Sequence, residues 1–237
     1  MPEKEARKDL AEVCRLSYIR GYVCGLEGNF SIRLQENLVL STPSGICKGR
    51  VEPEDLILTN LEGTLCSRAN GRCSTELAMH LTAYAARPDI SAIAHAHPPV
   101  AVGFTVAGMP LTSCVLPEVV CSLGAIPTAP YATPSTPEVS ESIKELVLEY
   151  DALLLDHHGA LTLGTTIWDA FYKLETLEHY AKTMLVAHQL GGSIPLCATQ
   201  VHKLLAIRAV YGLTRPLSPA VLSSAAEKAP KEGANSE

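Results

Sequence analysis

The sequence predicts an α/β protein in which helices cover the faces of a mixed β-sheet. Two observations predict it. Helical and strand-like hydrophobic patterns alternate along the chain, and the first strands lie at hairpin distance, which requires antiparallel neighbours. The apolar run ALLL at 152–155 adds a strand buried within the sheet.

Each element follows from local pattern. The opening segment to about Tyr18 reads as a helix, with Leu10, Val13, Cys14 and Ser17 or Tyr18 on one side. Gly25 and Gly28 break that pattern before a strand from Phe30 to Leu34, and a second strand, Asn37 to Ser41, follows across Gln35–Glu36. TPSGICKG turns the chain, and LILTNLEGT reads as a further strand with a tight turn at Glu62–Gly63. Ser74 is the expected N-cap of a helix running to about Ala86, with Leu77, Leu81 and Tyr84 inward and Pro88 closing it. SAIAHAH is a short strand stopped by Pro98–Pro99, and a helix over 100–106 follows the prolines. TPSTPEVSESIKELVLEY has capping hydroxyls and Pro137 in its first turn, which predicts a helix to about Tyr150. ALLL then ends in DHHG. The longest helical pattern runs from about Ile167 to Leu190, with Ile167, Ala170, Phe171, Leu174, Leu177, Ala181, Met184 and Leu185 facing the core, and Gly191–Gly192 end it. Residues 1–216 are expected to form one domain, and 217–237 a short helix and a disordered tail, because the chain turns small and polar.

Composition narrows the function. A chain of 237 residues that is 47% hydrophobic and 19% charged can bury a sizeable single core. With a net charge of −6 and no Lys/Arg run, nucleic acid and membrane surfaces are poor partners. An anionic substrate must therefore be met by local donors. None of the eight cysteines forms a C-x-x-C pair, which argues against a zinc ribbon and a thioredoxin-like site. The N-terminus is charged and amphipathic, and no run reaches the roughly 18 apolar residues that span a bilayer. A cytoplasmic protein with reduced thiols is the expectation.

The histidines carry the chemistry. His95 and His97 are spaced i, i+2 in a strand, so both imidazoles point to one face, and neutral imidazole suits Zn²⁺ and similar ions. His157–His158–Gly159 ends a buried strand, where sites in open sheets gather, and adjacent histidines point apart, so only one can join the first pair. Three ligands is the usual number for a catalytic ion with open positions. Glu76, near the start of its helix, is either a favourable helix opening, a fourth ligand or a proton-transfer base. His80, His179, His188 and His202 fall in helices at ordinary spacing and read as surface or core residues. Gly28–Asn29, Ser44–Gly45 and Ser74–Thr75 offer amides and hydroxyls suited to a phosphate monoester, although turn chemistry alone also selects such residues.

Together, GNFSIRL, STPSG, STELAMHLTAYAARPDISAIAHAH, APYATPST, LLLDHHGAL and the helix holding LETLEHYAK resemble the class II aldolase/adducin family over about residues 8–213. The resemblance implies a three-layer α/β/α sandwich around a mixed, mainly antiparallel sheet. It also implies a homotetramer with active sites at subunit contacts. On this likeness His95, His97 and His158 are the metal ligands, and Glu76 both ligates the metal and shuttles a proton. Asn29, Ser44, Gly45, Ser74 and Thr75 fall on the phosphate-binding positions. The catalytic tyrosine that aldolases of the family receive from a neighbouring subunit falls on Leu116, with Glu118 two residues on as a candidate proton donor. A second tyrosine matches Tyr211, and a family threonine is replaced by Leu26.

The chemistry expected is cleavage of a ketose 1-phosphate to dihydroxyacetone phosphate and an aldehyde, through an enediolate stabilised by one divalent metal, Zn²⁺ before Mn²⁺, Co²⁺ or Fe²⁺. Epimerases of the family carry aspartate at the position of Glu76, which counts against that reaction. Leucine at 116 leaves dehydration and decarboxylation of a phosphorylated sugar as alternatives. A non-catalytic adducin-like scaffold lacks the full histidine set that is present here.

Overall fold

Side chains that alternate along each strand feed two separate cores, one on each face of a single sheet. The computed structural model describes residues 1–35, 37–66 and 71–211. The strands are β1 (Asn29–Gln35), β2 (Leu38–Ser41), β3 (Ile57–Thr59), β4 (Ala92–Ala96), β5 (Thr128–Ala129), β6 (Ala152–Leu155) and β7 (Gly159–Gly164). Their order is β3-β2-β1-β4-β7-β6-β5, and only the β5–β6 pairing is parallel. The α-helices among the described residues are α1 (Glu3–Ile19), α2 (Leu77–Ala86), α3 (Pro99–Val106), α4 (Pro117–Ser122), α5 (Pro137–Ile143), α6 (Leu146–Glu149), α7 (Ile167–Gln189) and α8 (Ala198–Ala206).

On β4 the alternation decides which layer each side chain meets. Ala92, Ala94 and Ala96 join the core built with α1, α3 and α7, while Ile93 joins the core built with α2, α5 and α6. β6 divides the same way, with Ala152 and Leu154 on one side and Leu153 and Leu155 on the other. The result is a three-layer α/β/α sandwich, as the sequence predicts. The small alanines of β4 let α7 lie close over the middle of the sheet. That helix buries Phe171, Leu174, Leu177 and Met184 there, each contributing about 1.5–3 kcal/mol. Leu185, expected in the core, is 41% exposed instead and lines an open apolar cleft beside α3 with Val100 and Phe104.

Other differences have local causes. The run GALTLG, too short for its pattern to distinguish helix from strand, is β7 and pairs with both β4 and β6. The helix expected to Tyr150 is two, α5 and the single turn α6, and Arg87 donates to the Val147 carbonyl left available there at 2.8 Å. Ser74 does not cap α2. Its hydroxyl accepts from the Glu76 amide at 3.3 Å, and Glu76 itself, at φ −97° and ψ 5°, occupies the cap position. The tail expected over 217–237 lies outside the described residues.

The start of α3 is held from outside the helix. Pro98 at the N-cap and Pro99 in the first turn have no amide proton, so Val100 and Ala101 are the first donors. Both donate to the buried Glu178 carboxylate of α7, at 3.3 and 2.9 Å, and Lys182 Nζ stands 3.5 Å from the same group. A carboxylate at a helix N-terminus is also favoured by the helix dipole. Glu178→Ala is expected to lower unfolding stability by about 2–3 kcal/mol, since two buried amides lose a charged acceptor. Glu178→Gln, which keeps one acceptor, should lose less, and urea denaturation midpoints measure both.

Candidate metal centre

The site forms where β1, β4 and β7 run side by side. Asn29 of β1 pairs with His95 of β4, and His95 pairs on its other side with Leu161 of β7. His97 follows two residues after His95, and its amide donates to Tyr22 O at 2.8 Å. His158 comes from the tight β6–β7 connection. There His157 adopts φ 54°, a left-handed conformation, and its amide donates to the Thr105 hydroxyl at 3.1 Å. That turn sends the His157 ring out to Asp156, 2.9 Å away, and His158 inward.

The rings of His95, His97 and His158 stand at the corners of a near-equilateral triangle, with centroids 4.9–5.0 Å apart. One nitrogen from each lies within 4.8 Å of the others. Glu76 closes the group, with its Oε2 at 3.4 Å from His95 Nε2 and its Oε1 at 3.1 Å from His158 Nε2. His95 is fully buried, and Glu76 and His158 nearly so.

Hydrogen bonding fixes which nitrogens face inward. His95 Nδ1 lies 3.0 Å from Ala160 O, which can only accept, so Nδ1 carries the proton and Nε2 is a bare lone pair. His97 Nδ1 likewise faces the Glu27 carboxylate at 3.4 Å. The two Nε2 atoms then confront each other at 3.2 Å, two lone pairs aimed at one region. Ligands about 2.0–2.1 Å from a tetrahedral zinc stand roughly 3.3 Å apart, so the spacing fits one ion. Burial, with His95 and His158 adjoining, pushes the His97 imidazole down to about 4, which keeps it neutral near pH 7. Burial raises the Glu76 carboxyl, but the adjoining His158 and His95 outweigh it and hold the group well below the usual carboxylate range. Glu76 Oε1 accepts no hydrogen bond among the described residues, so a buried anionic oxygen also awaits a cation. The donor set fits a divalent metal.

Beside this cluster opens a cleft of about 320 Å³. Asn29, Ser44, Gly45, Ser74, Thr75, Glu76, His97 and His158 all line it. Asn29 Nδ2 donates to Glu76 Oε2 at 2.9 Å, and the Thr75 hydroxyl is bonded to that of Ser135 at 2.7 Å. Glu118 is elsewhere in its own chain. It lies in the first turn of α4 and borders a separate cavity of about 600 Å³ with Arg20, Glu175 and Lys182. Tyr211 ends the turn Arg208–Tyr211, and its side chain lies outside the described residues.

Sequence reasoning passed over Glu27, Lys48 and Ser135, which also line the cleft. The β1–β4 register supplies the missing signal for Glu27: if Asn29 faces His95, continuing two residues places Glu27 opposite His97. His80 proves to be core. Its Nδ1 is 2.7 Å from the Ser31 hydroxyl, which is 2.8 Å from that of Tyr84.

A sheet with helices on both faces and a cluster of three histidines and a carboxylate that could hold a metal defines a class of α/β/α proteins. Within that class, the chain belongs to the Class II Aldolase and Adducin N-terminal domain family, whose model matches residues 8–185. It is 32% identical over 182 residues to L-fuculose phosphate aldolase of Methanococcus maripaludis, covering 77% of this chain and 97% of that one. It is 30% identical over 188 residues to 3-oxo-tetronate 4-phosphate decarboxylase of Pectobacterium atrosepticum, covering 78% and 85%. Among solved structures, YgbL of Klebsiella pneumoniae superposes with a TM-score of 0.79 at 27% identity, covering 86% of this chain and 99% of that one. No helix among the described residues is long and apolar enough to cross a membrane.

Two outcomes are expected. A Cβ on Gly159 would lie 2.7 Å from both Ala96 O and His97 Cδ2, and 3.0 Å from His95 Cε1. Gly159→Ala should therefore displace both imidazoles and cut metal content, read by elemental analysis, well below that of wild type. The second concerns acid. Burial lowers the His80 pKa to about 3 from its ordinary 6.5. Protonation then favours unfolding, so the stability His80 contributes is full above about 6.5 and is lost as pH falls toward 3. Urea midpoints of chelated protein should drop over that window, less steeply in His80→Gln.

Proposed function

We propose that the chain is a metal-dependent carbon–carbon lyase, an aldolase that reversibly cleaves a ketose 1-phosphate to dihydroxyacetone phosphate and an aldehyde. The observation that carries this reading is the place of Glu76. One carboxylate touches two of the three histidines and also forms part of the wall of a cleft lined with anion donors. Metal binding and proton transfer thus meet at one group, beside a place for a phosphate.

In cleavage, the hydroxyl on the aldehyde-forming carbon loses its proton and the adjoining C–C bond breaks. The electron pair stays on the fragment bearing the phosphate. Glu76 returns a proton to that carbon, and in the reverse direction removes it. The Asn29 amide holds Glu76 Oε2 in position for the transfer. Asn29, Ser44, Gly45, Ser74 and Thr75 bind the phosphate, which supplies orientation remote from the reacting bond. A divalent ion held by His95, His97, His158 and Glu76 supplies Lewis acidity for the charge that develops on the carbonyl oxygen. We take it to be Zn²⁺, which this donor set suits.

The proton at the aldehyde oxygen needs another group. Glu118 and Tyr211 are the candidates, and Glu118 can serve only from a second copy, since it borders another cavity of its own chain. We take the assembly to be a homotetramer with active sites between subunits, working in the cytoplasm.

A second reading is decarboxylation of a phosphorylated oxo acid. It draws support from the decarboxylase relative and from apolar Leu116, where family aldolases place a tyrosine. Loss of carbon dioxide leaves the same electron pair for Glu76 to protonate.

Metal-loaded protein should carry about one equivalent of ion, and His95→Ala little. Wild type should release dihydroxyacetone phosphate from a member of a ketose 1-phosphate panel, and Glu76→Gln should lower kcat by about 10²–10⁴-fold. Carbon dioxide from 3-oxo acid phosphates, with no dihydroxyacetone phosphate from any sugar, would transfer the assignment to the decarboxylase.

A further inference from the structure

Lys48 is buried, with 2% of its surface exposed, in the turn that follows β2. Its ammonium donates to Leu26 O at 2.9 Å and to Ile46 O at 3.0 Å. These carbonyls belong to the two loops that line the cleft. One carries Glu27 and Asn29 into β1, and the other carries Ser44 and Gly45 away from β2. The side chain therefore ties the two halves of the anion-binding wall together.

Tying loops does not require a charge. Two carbonyls satisfy two of the three ammonium protons but supply no counter-ion, and a buried cation without one is unfavourable. Among the described residues no carboxylate stands within salt-bridge distance of Nζ; burial lowers its pKa, and the more distant Cys14, Cys47, Glu76 and Glu27 offset this only in part. The carboxylates of the cleft are engaged with histidines, Glu27 with His97 and Glu76 with His95 and His158. The loop that leads into Lys48 brings Ser44 and Gly45 to the cleft wall, groups without charge. A cation fixed behind neutral donors is an arrangement completed by an anion from outside the protein.

We propose that Lys48 is the fixed counter-charge of this subsite, and that it makes the cleft select a dianionic phosphate monoester over a singly charged or neutral group. The inference rests on the phosphate reading above and adds to it a residue and a charge requirement. Lys48 touches no reacting atom, so it is a positioning and specificity residue.

Substitution separates the charge from the tie. Lys48→Arg keeps both, Lys48→Gln keeps amide donors without charge, and Lys48→Met removes both. Binding of glycerol 3-phosphate, and of its singly charged methyl diester, is measured by calorimetry on the full-length, metal-loaded protein, with urea midpoints to verify folding. Wild type and Lys48→Arg should prefer the dianion at least tenfold, and Lys48→Gln and Lys48→Met should lose that preference. A folded Lys48→Gln that binds glycerol 3-phosphate within twofold of wild type would overturn the proposal and leave Lys48 as a loop tie. Wild type that carries one equivalent of metal yet binds no glycerol 3-phosphate would overturn the phosphate reading itself.

Discussion

Lone pairs on neutral imidazoles repel when they face one another, so three such rings converge only where the backbone holds them there. The antiparallel pairing of β4 with β1 on one side and β7 on the other supplies that rigidity. Asn29, His95 and Leu161 stand level across three strands, and the connection before β7 delivers His158 to the same end. Because side chains alternate, the face that receives His95 is opposite to the one on which the β4 alanines pack beneath α7. The sheet thus separates polar chemistry from its largest apolar support by the thickness of one strand.

Around that pairing, most supporting groups are backbone atoms or glycines. Ala160 O sets the tautomer of His95, Tyr22 O holds the amide of His97, and Gly159 leaves room for both rings. Gly28, at φ 70°, allows equally close approach, since a Cβ there would lie 2.9 Å from His95 O. Such supports act without titrating. The site's charge is therefore concentrated in a few side chains, Glu76, Glu27 and Lys48.

Much of this was legible from residues alone where a local rule sufficed. The i, i+2 spacing puts His95 and His97 on one face whatever the tertiary structure, and the pattern from Ile167 marks α7 almost to its last turn. Family resemblance then chose His158 over His157, a choice local sequence leaves open because it depends on a left-handed residue at 157. Features set by long-range contact were not legible. GALTLG becomes a strand because β4 and β6 present edges to it. Leu185 lies not in the core but on an open cleft beside α3, which only the packing of α3 against α7 defines. Glu27 and Lys48 acquire meaning only when strand register and loop contacts bring them to the cleft.

The ligating histidines are set in strand ends, whereas Glu76 stands at the head of α2, a helix that packs with α5 and α6 in the other core. On the reading proposed above, the electrophile and the proton carrier would ride on separate mechanical parts. A small tilt of α2 can swing the carboxylate toward or away from a reacting carbon while the three nitrogens keep their spacing. On that same reading, substitutions at the α2–α5 seam would move the proton carrier and the fourth ligand together while the three nitrogens stay fixed, which gives one scaffold a route between reactions that share an electron-rich carbon but differ in where its proton must arrive.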